Sequence, residues 1–177
     1  NTTAPETDYL VLDTTAATAD AADRWSDEAP TSSVFTLGDG DEVNTNTETY
    51  IAYCFAEKQG FSKFGSYTGN GNAVGTFVYT GFRPAWIMYK QTNASGESWI
   101  IHDNKRGNQG AGANPQDLRL LANASNAEAD EDIDFLSNGF KCRSSGTFQN
   151  ASGSTYIYAA FAEAPFVNSN GVPGNAR

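Results

Sequence analysis

A nine-residue apolar phrase occurs twice in the chain, at Thr49-Tyr50-Ile51-Ala52-Tyr53-Cys54-Phe55-Ala56-Glu57 and at Thr155-Tyr156-Ile157-Tyr158-Ala159-Ala160-Phe161-Ala162-Glu163. Six of the nine positions are identical, and the differences keep the apolar character. Each run is short and bounded by Thr, Ser, Asn or Gly, which suits a buried strand better than a long helix. Read with period 2, one face carries Ile51, Tyr53 and Phe55, echoed by Ile157, Ala159 and Phe161. The other carries Tyr50, Ala52, Cys54 and Ala56, echoed by Tyr156, Tyr158, Ala160 and Ala162. Neither face holds a charge before the terminal Glu, so both runs are expected to be core strands covered on both sides. Their alanine content leaves a short helix as the alternative.

The flanking text repeats in the same order. Tyr9–Leu12 matches Leu118–Leu121, the Ala/Thr stretch Asp13–Asp23 matches Ala122–Asp132, and Trp25 stands where Ile133–Phe135 stands. Val34–Leu37 matches Gly139–Cys142, and each copy then runs through a polar turn into its apolar phrase. In the first copy, Ser33–Leu37 and the strand at Thr49–Glu57 form a long-looped hairpin. The expected architecture is a single domain over residues 1–177, all-β, antiparallel and sandwich-like. It is built on a degenerate internal duplication with copies at 9–57 and 118–163.

The middle segment, 58–117, has no partner in the chain. It offers strands at Gly60–Tyr67, Gly75–Tyr79, Pro84–Lys90 and Ser98–Asp103, the last two forming a hairpin. Pro84 opens its strand, where no ladder donor is needed. A polar Gly/Asn loop follows from Asn104 to Pro115. If the ancestral unit was middle segment plus repeat, the first copy lacks its own middle segment. Together with an opening Asn, this leads us to expect an excised piece of a longer chain.

Composition restricts the function classes. With 177 residues, one domain buries roughly 70% of its unfolded surface. Net charge is −10 and the pI about 4.4, so phosphate backbones are repelled and nucleic-acid binding is not expected. No 18-residue apolar run suggests membrane insertion. The cysteines, Cys54 and Cys142, match no metal spacing and are either two buried free thiols or one bridge.

No catalytic constellation emerges. The one histidine, His102, has no nucleophile elbow to serve and reads as a packed residue at a strand end. The run Gly69–Gly75 is followed by a strand, so it reads as a turn and not a phosphate loop. Two acidic clusters, Asp39/Asp41/Glu42 and Asp130/Glu131/Asp132/Asp134, could offer oxygen ligands to Ca²⁺, but neither has EF-hand spacing, and solvated loops are the plainer reading. No pair of acids is singled out for glycoside hydrolysis. Among Tyr67, Tyr79, Trp86 and Trp99, the loop-proximal Tyr67 and Tyr79 are the candidates for stacking on a glycan. Sequons at Asn1, Asn93, Asn123 and Asn150 arise easily in so Asn- and Ser-rich a chain.

Longer phrases carry a resemblance. Gly60–Gly71, Phe77–Trp86, Trp99–Asp103, Ile133–Lys141 and Tyr156–Phe166 resemble a domain common in virion proteins of tailed phages, especially marine ones. The similarity spans Tyr9 to Phe166. In that family the domain lies toward the C-terminus of long proteins, often after a concanavalin A-like lectin domain, and no catalytic residues carry over. The resemblance implies a non-enzymatic structural protein on the external surface of the particle, as a tail fibre or capsid decoration. It also implies contacts with other virion proteins and a homo-oligomer, trimeric if a fibre. A carbohydrate-binding, lectin-like module that meets a host surface glycan is the alternative.

Overall fold

A computed structural model describes residues 8–107 and 114–164. Ten strands and two single-turn helices are seen among them. In chain order they are β1 (Asp8–Tyr9), β2 (Ala19–Asp20), α1 (Ala22–Trp25), α2 (Asp41–Asn44), β3 (Ser62–Thr68) and β4 (Phe77–Tyr79). Then come β5 (Trp86–Gln91), β6 (Ile100–Asp103), β7 (Gln116–Leu121), β8 (Ala129–Leu136), β9 (Gly139–Cys142) and β10 (Thr155–Phe161). Eight of the strands make one antiparallel sheet in the order β3-β10-β5-β6-β7-β8-β9-β4, and β1 pairs only with β2. The all-β antiparallel class is as expected. Its layering comes from a single sheet that nearly closes on itself.

The second apolar phrase is an interior strand of that sheet. β10 pairs with β3 from Thr155↔Thr68 to Phe161↔Ser62, and with β5 from Tyr156↔Gln91 to Phe161↔Trp86. Alternation then sorts its side chains. Tyr156, Tyr158 and Ala160 point inward and are buried, while Ile157, Ala159 and Phe161 lie half-buried on the outer face. Inside, Tyr156 stacks on Tyr67 at 4.9 Å and 9°, and Phe140 meets the edges of Tyr67 and Tyr158. Ile87, Tyr89, Ile100, Ile133 and Phe135 complete the core. Full burial of each such side chain stabilises the fold by about 1.5–3 kcal/mol.

At the nearly closed end of the sheet, a seam between the β3–β4 turn and the β9–β10 segment is tied by one carboxamide. Asn150 is fully buried, and its Oδ1 accepts from the Asn70 backbone N–H at 2.9 Å and lies 3.2 Å from the Thr76 hydroxyl oxygen. Its Nδ2 lies 2.8 Å from Asn70 Oδ1, 2.8 Å from the Asn72 carbonyl and 2.9 Å from the Ser144 carbonyl. The Thr76 hydroxyl donates across the β3–β4 turn to the Thr68 carbonyl at 2.9 Å. Backbones approach so closely here that a Cβ at Gly69 would sit 2.2 Å from the Ala151 carbonyl oxygen, and one at Gly75 2.5 Å from that of Cys142. The Gly69–Gly75 run is thus the turn it was read to be.

The first copy departs from expectation. Thr49–Glu57 is neither strand nor helix and lies exposed throughout, with Ile51 78%, Tyr53 81% and Phe55 68% accessible. Ser33–Leu37 is not a strand either, and the long-looped hairpin does not form. Residues 31–34 instead close a local turn, Thr31 N–H to the Val34 carbonyl at 2.8 Å. Of the first expected strand, Tyr9–Leu12, only Tyr9 is laddered, with Asp8 ahead of it. The reason is competition for edges. A phrase shaped like β10 needs partners like β3 and β5, and in this sheet β10 itself fills the place between them. Both cysteines are free, Cys142 buried but Cys54 exposed, so neither a bridge nor a buried pair forms.

The seam gives a stability test. Asn150→Ala removes several part-buried hydrogen bonds at once, each worth about 0.5–1.5 kcal/mol. Urea unfolding should therefore show a loss of about 2–4 kcal/mol. Asn123→Ala, which removes a 2.8 Å bond from the Trp99 N–H and a longer one to the Ser98 hydroxyl, should cost about 1 kcal/mol.

Candidate functional site

The groups with chemical potential divide into a buried set and an exposed set. In the buried set, His102 on β6 faces inward with no solvent exposure. Its ring lies parallel to that of Tyr89 at 5.9 Å, and Nε2 stands 3.2 Å from the Tyr89 hydroxyl. Nδ1 has no hydrogen-bond partner among the described residues. Burial, with the Arg119 guanidinium nearby, pushes the imidazole pKa down to about 3. Burial also holds the Tyr89 phenol well above its ordinary range, and raises the Cys142 thiol to about 12. At neutral pH all three are uncharged, and none reaches solvent.

The exposed set differs from the sequence reading. Tyr67 sits inside the sheet at 8% exposure, its hydroxyl donating to the Gln149 carbonyl at 2.9 Å and its face covered by Tyr156. It is therefore withdrawn as a glycan-stacking residue, because alternation along β3 turns it inward. Tyr79 on β4 is 63% exposed and remains a candidate. Period 2 places Phe77 beside it, 44% exposed, and across the ladder Tyr79 faces Gly139 and Phe77 faces Lys141. The bare Gly139 lets the Phe77 ring lie close, since an added Cβ would meet it at 3.0 Å. Phe77 escaped the sequence reading, although the alternation Phe77-Val78-Tyr79 was the available signal. Trp99 is buried, with Nε1 donating to the Val11 carbonyl at 3.0 Å, and Trp86 is half-buried against Phe161.

The acidic clusters are not brought together as a cation cage. Asp130 to Asp134 belong to β8, whose pleat sends neighbours to opposite faces. Arg143 takes Asp134 at 3.0 Å, Gln149 takes Glu131, and in the other cluster Arg24 takes Glu42. Among the described residues there is no group of three or more His, Cys, Asp or Glu placed to hold a metal ion. An open basin of about 500 Å³ lies beside Pro115, Asp117, Asp130, Asp132 and Arg143. The sequon residue Asn150 is buried at the seam, and no described helix is long and apolar enough to cross a membrane.

The most exposed apolar feature is the first-copy phrase itself. At one end the Tyr50 hydroxyl donates to the Asp41 carbonyl at 2.7 Å. At the other, Phe55 touches Phe64 and Phe161, and Glu57 pairs with Lys63 at 2.8 Å. Between these anchors, Ile51–Cys54 is exposed without regular secondary structure, and no strand of the described residues pairs with it.

Comparison with known proteins identifies one family model, described as a domain of unknown function (DUF7483), which matches residues 1–165. The chain belongs to that family. Neither a curated protein nor a solved structure matches it. For this DUF7483 domain, then, chemistry has to be argued from the residues themselves.

The buried histidine makes a measurable claim. Its folded pKa of about 3 lies below the ordinary 6.5, so its contribution is intact above pH 6.5 and is lost as pH falls toward 3. Over that window the loss is up to about 1.4 kcal/mol per pH unit. His102→Gln, which keeps a polar partner for Tyr89, should be less stable than the parent at pH 7.5 in urea unfolding. It should also lose stability less steeply from pH 6.5 to 4, so the gap narrows. Parallel pH profiles would remove His102 as the source.

Proposed function

We propose that this chain is a non-catalytic structural module of a tailed-phage particle, carried on the external surface in a fibre or decoration and joined to neighbouring virion proteins through its β surfaces. The observation that carries this reading is the exposed ribbon Ile51–Phe55, an apolar strand-like sequence left unpaired in the open. A surface of that kind suits assembly better than turnover. The state of the titratable core agrees with it, since His102, Tyr89 and Cys142 are neutral and sealed from any substrate. The net charge of −10 keeps such a module from adhering to nucleic acid. The sequence resemblance to phage virion proteins supplies the setting, with a homo-oligomer as the expected state and a trimer in a fibre.

One observation favours a second reading. Phe77 and Tyr79 present two rings on one face of β4, an arrangement on which sugar rings stack. The module would then also hold a host surface glycan.

Two measurements check these readings. Quantitative mass spectrometry of purified particles should find the protein at tens of copies for a fibre or hundreds for a decoration, and its absence from particles would overturn the virion role. On a glycan array, the parent should bind host envelope glycans, and Tyr79→Ala should weaken binding about tenfold, or 1.4 kcal/mol. A blank array for the parent removes the lectin reading and leaves the structural one standing.

A further inference from the structure

The first copy is folded further than its missing core strand suggests. In the β1–β2 pair, Asp8 faces Asp20 and Tyr9 faces Ala19. In the β7–β8 pair, Leu118 faces Asp130 and Arg119 faces Ala129. Each of the four first-copy residues precedes its counterpart by the same number of positions. The two hairpins thus share one register, and Tyr9 corresponds to Arg119, a one-residue correction to the sequence alignment. Pro5 and Pro115 stand at the same offset.

Past the hairpin the secondary structure differs, since Ala22–Trp25 is helical, but a contact between the corresponding segments persists. By that offset Asp23 and Arg24 are the counterparts of Ile133 and Asp134, which face Cys142 and Lys141 in the β8–β9 pair. In the first copy, Gly40 N–H donates to the Asp23 carbonyl and Gly38 N–H to the Arg24 carbonyl, both at 2.9 Å. A Cβ on Gly38 would lie 2.0 Å from the Asp23 carbonyl oxygen, so the two segments are held in backbone contact. Residues 8–20 therefore share the register of the β7–β8 hairpin, the chain turns helical at Ala22–Trp25 where β8 continues as a strand, and Thr49–Glu57 carries the sequence of β10.

We infer that residues 8–57 are the second half of another barrel, and that the exposed ribbon is a strand awaiting partners of the β3–β6 kind, supplied by another module of this family. The observed sheet states what those partners are. β10 is flanked by β3 and β5, β7 pairs on its other side with β6, and β9 with β4. All four missing neighbours are the strands of the middle segment, the part that has no first-copy equivalent. A generic sheet edge would meet the backbone. Only strands of this kind would also offer the residues that seat Tyr156 and Phe161, to which Tyr50 and Phe55 correspond. This rests on the register and the hydrogen bonds, and holds whether or not the protein belongs to a virion.

The test supplies the missing half. A second copy of residues 58–115 is joined ahead of Glu6, and alkylation of Cys54 is timed in the fused and unfused chains, with the buried Cys142 as an internal check that the original sheet is folded. Completion of the half barrel should slow Cys54 labelling at least tenfold and slow amide exchange at Ile51–Phe55. Placing Ile87→Pro in the added copy, where that strand must pair with the ribbon, should restore fast labelling. Equal Cys54 rates in fused and unfused chains, with Cys142 still protected, would overturn the inference. So would concentration-dependent protection of Cys54 in the unfused chain together with a dimer mass, since the occupant would then be a second intact copy.

Discussion

The closed shape of this domain depends on one buried side chain that belongs to neither of the strands it joins. An eight-stranded sheet that curls on itself brings its end strands, β3 and β4, near each other. Those strands are linked by a turn, and where its backbone polar groups pack against the segment leading into β10 they need partners. Asn150 provides them, because a carboxamide offers donors and acceptors in one plane. It reaches Asn70, Asn72, Thr76 and Ser144, and so fixes the β3–β4 turn to the segment that leads into β10. The glycines around it are a consequence. Gly69 and Gly75 stand where the two backbones come too close for any side chain.

The same closure explains the state of the ionisable core. Once the sheet curls, inward positions lose water, and each titratable group there must be neutral or paired. Tyr89 and His102 take the first course by facing each other across β5 and β6. Cys142, beside the Gln149 carbonyl at 3.5 Å, does the same. On the opposite face of β8 from the core residues Ile133 and Phe135, Asp134 is instead paired, with Arg143 at 3.0 Å. A histidine followed by an aspartate suggests proton chemistry in a sequence, yet here their side chains diverge. His102 turns inward, and Asp103 turns out to meet Arg106 at 2.6 Å. A strand separates such neighbours by its pleat, which is why the motif carries no catalytic geometry.

Much of the fold was legible because the middle segment and second copy obey local rules. Alternation and turn chemistry located β3 to β7, β9 and β10 to within a few residues, and they assigned the Gly69–Gly75 turn. What was not legible came from relations between segments. Two phrases that share six of nine residues have the same local preferences, and nothing in either says which will obtain the place between β3 and β5. The inward turn of Tyr67 was hidden for a related reason, since its phase along β3 is set by pairing with β10. Phe77 was accessible to the same alternation argument that selected Tyr79. The seam role of Asn150 was not, because its partners in the β3–β4 turn lie 74 to 80 positions away along the chain.

The treatment of exposed edges distinguishes the ribbon from the rest of the surface. Unpaired strand edges invite association, and proteins blunt them with short strands, charge and local cover. Both ends of the large sheet are treated in this way. β4 is only three residues long, and β3 is shielded by the Lys58↔Ser62 bridge and by the Glu57 carboxylate, which accepts from the Phe64 N–H at 3.3 Å. The ribbon has no such guard between Tyr50 and Phe55, although full burial of each large apolar side chain there would yield about 1.5–3 kcal/mol. Glu48 and Glu57 bracket it without interrupting it. A chain that protects its complete sheet on both sides and leaves this one stretch bare has kept a strand's worth of binding energy in reserve, directed by sequence toward partners of the kind that β10 already has.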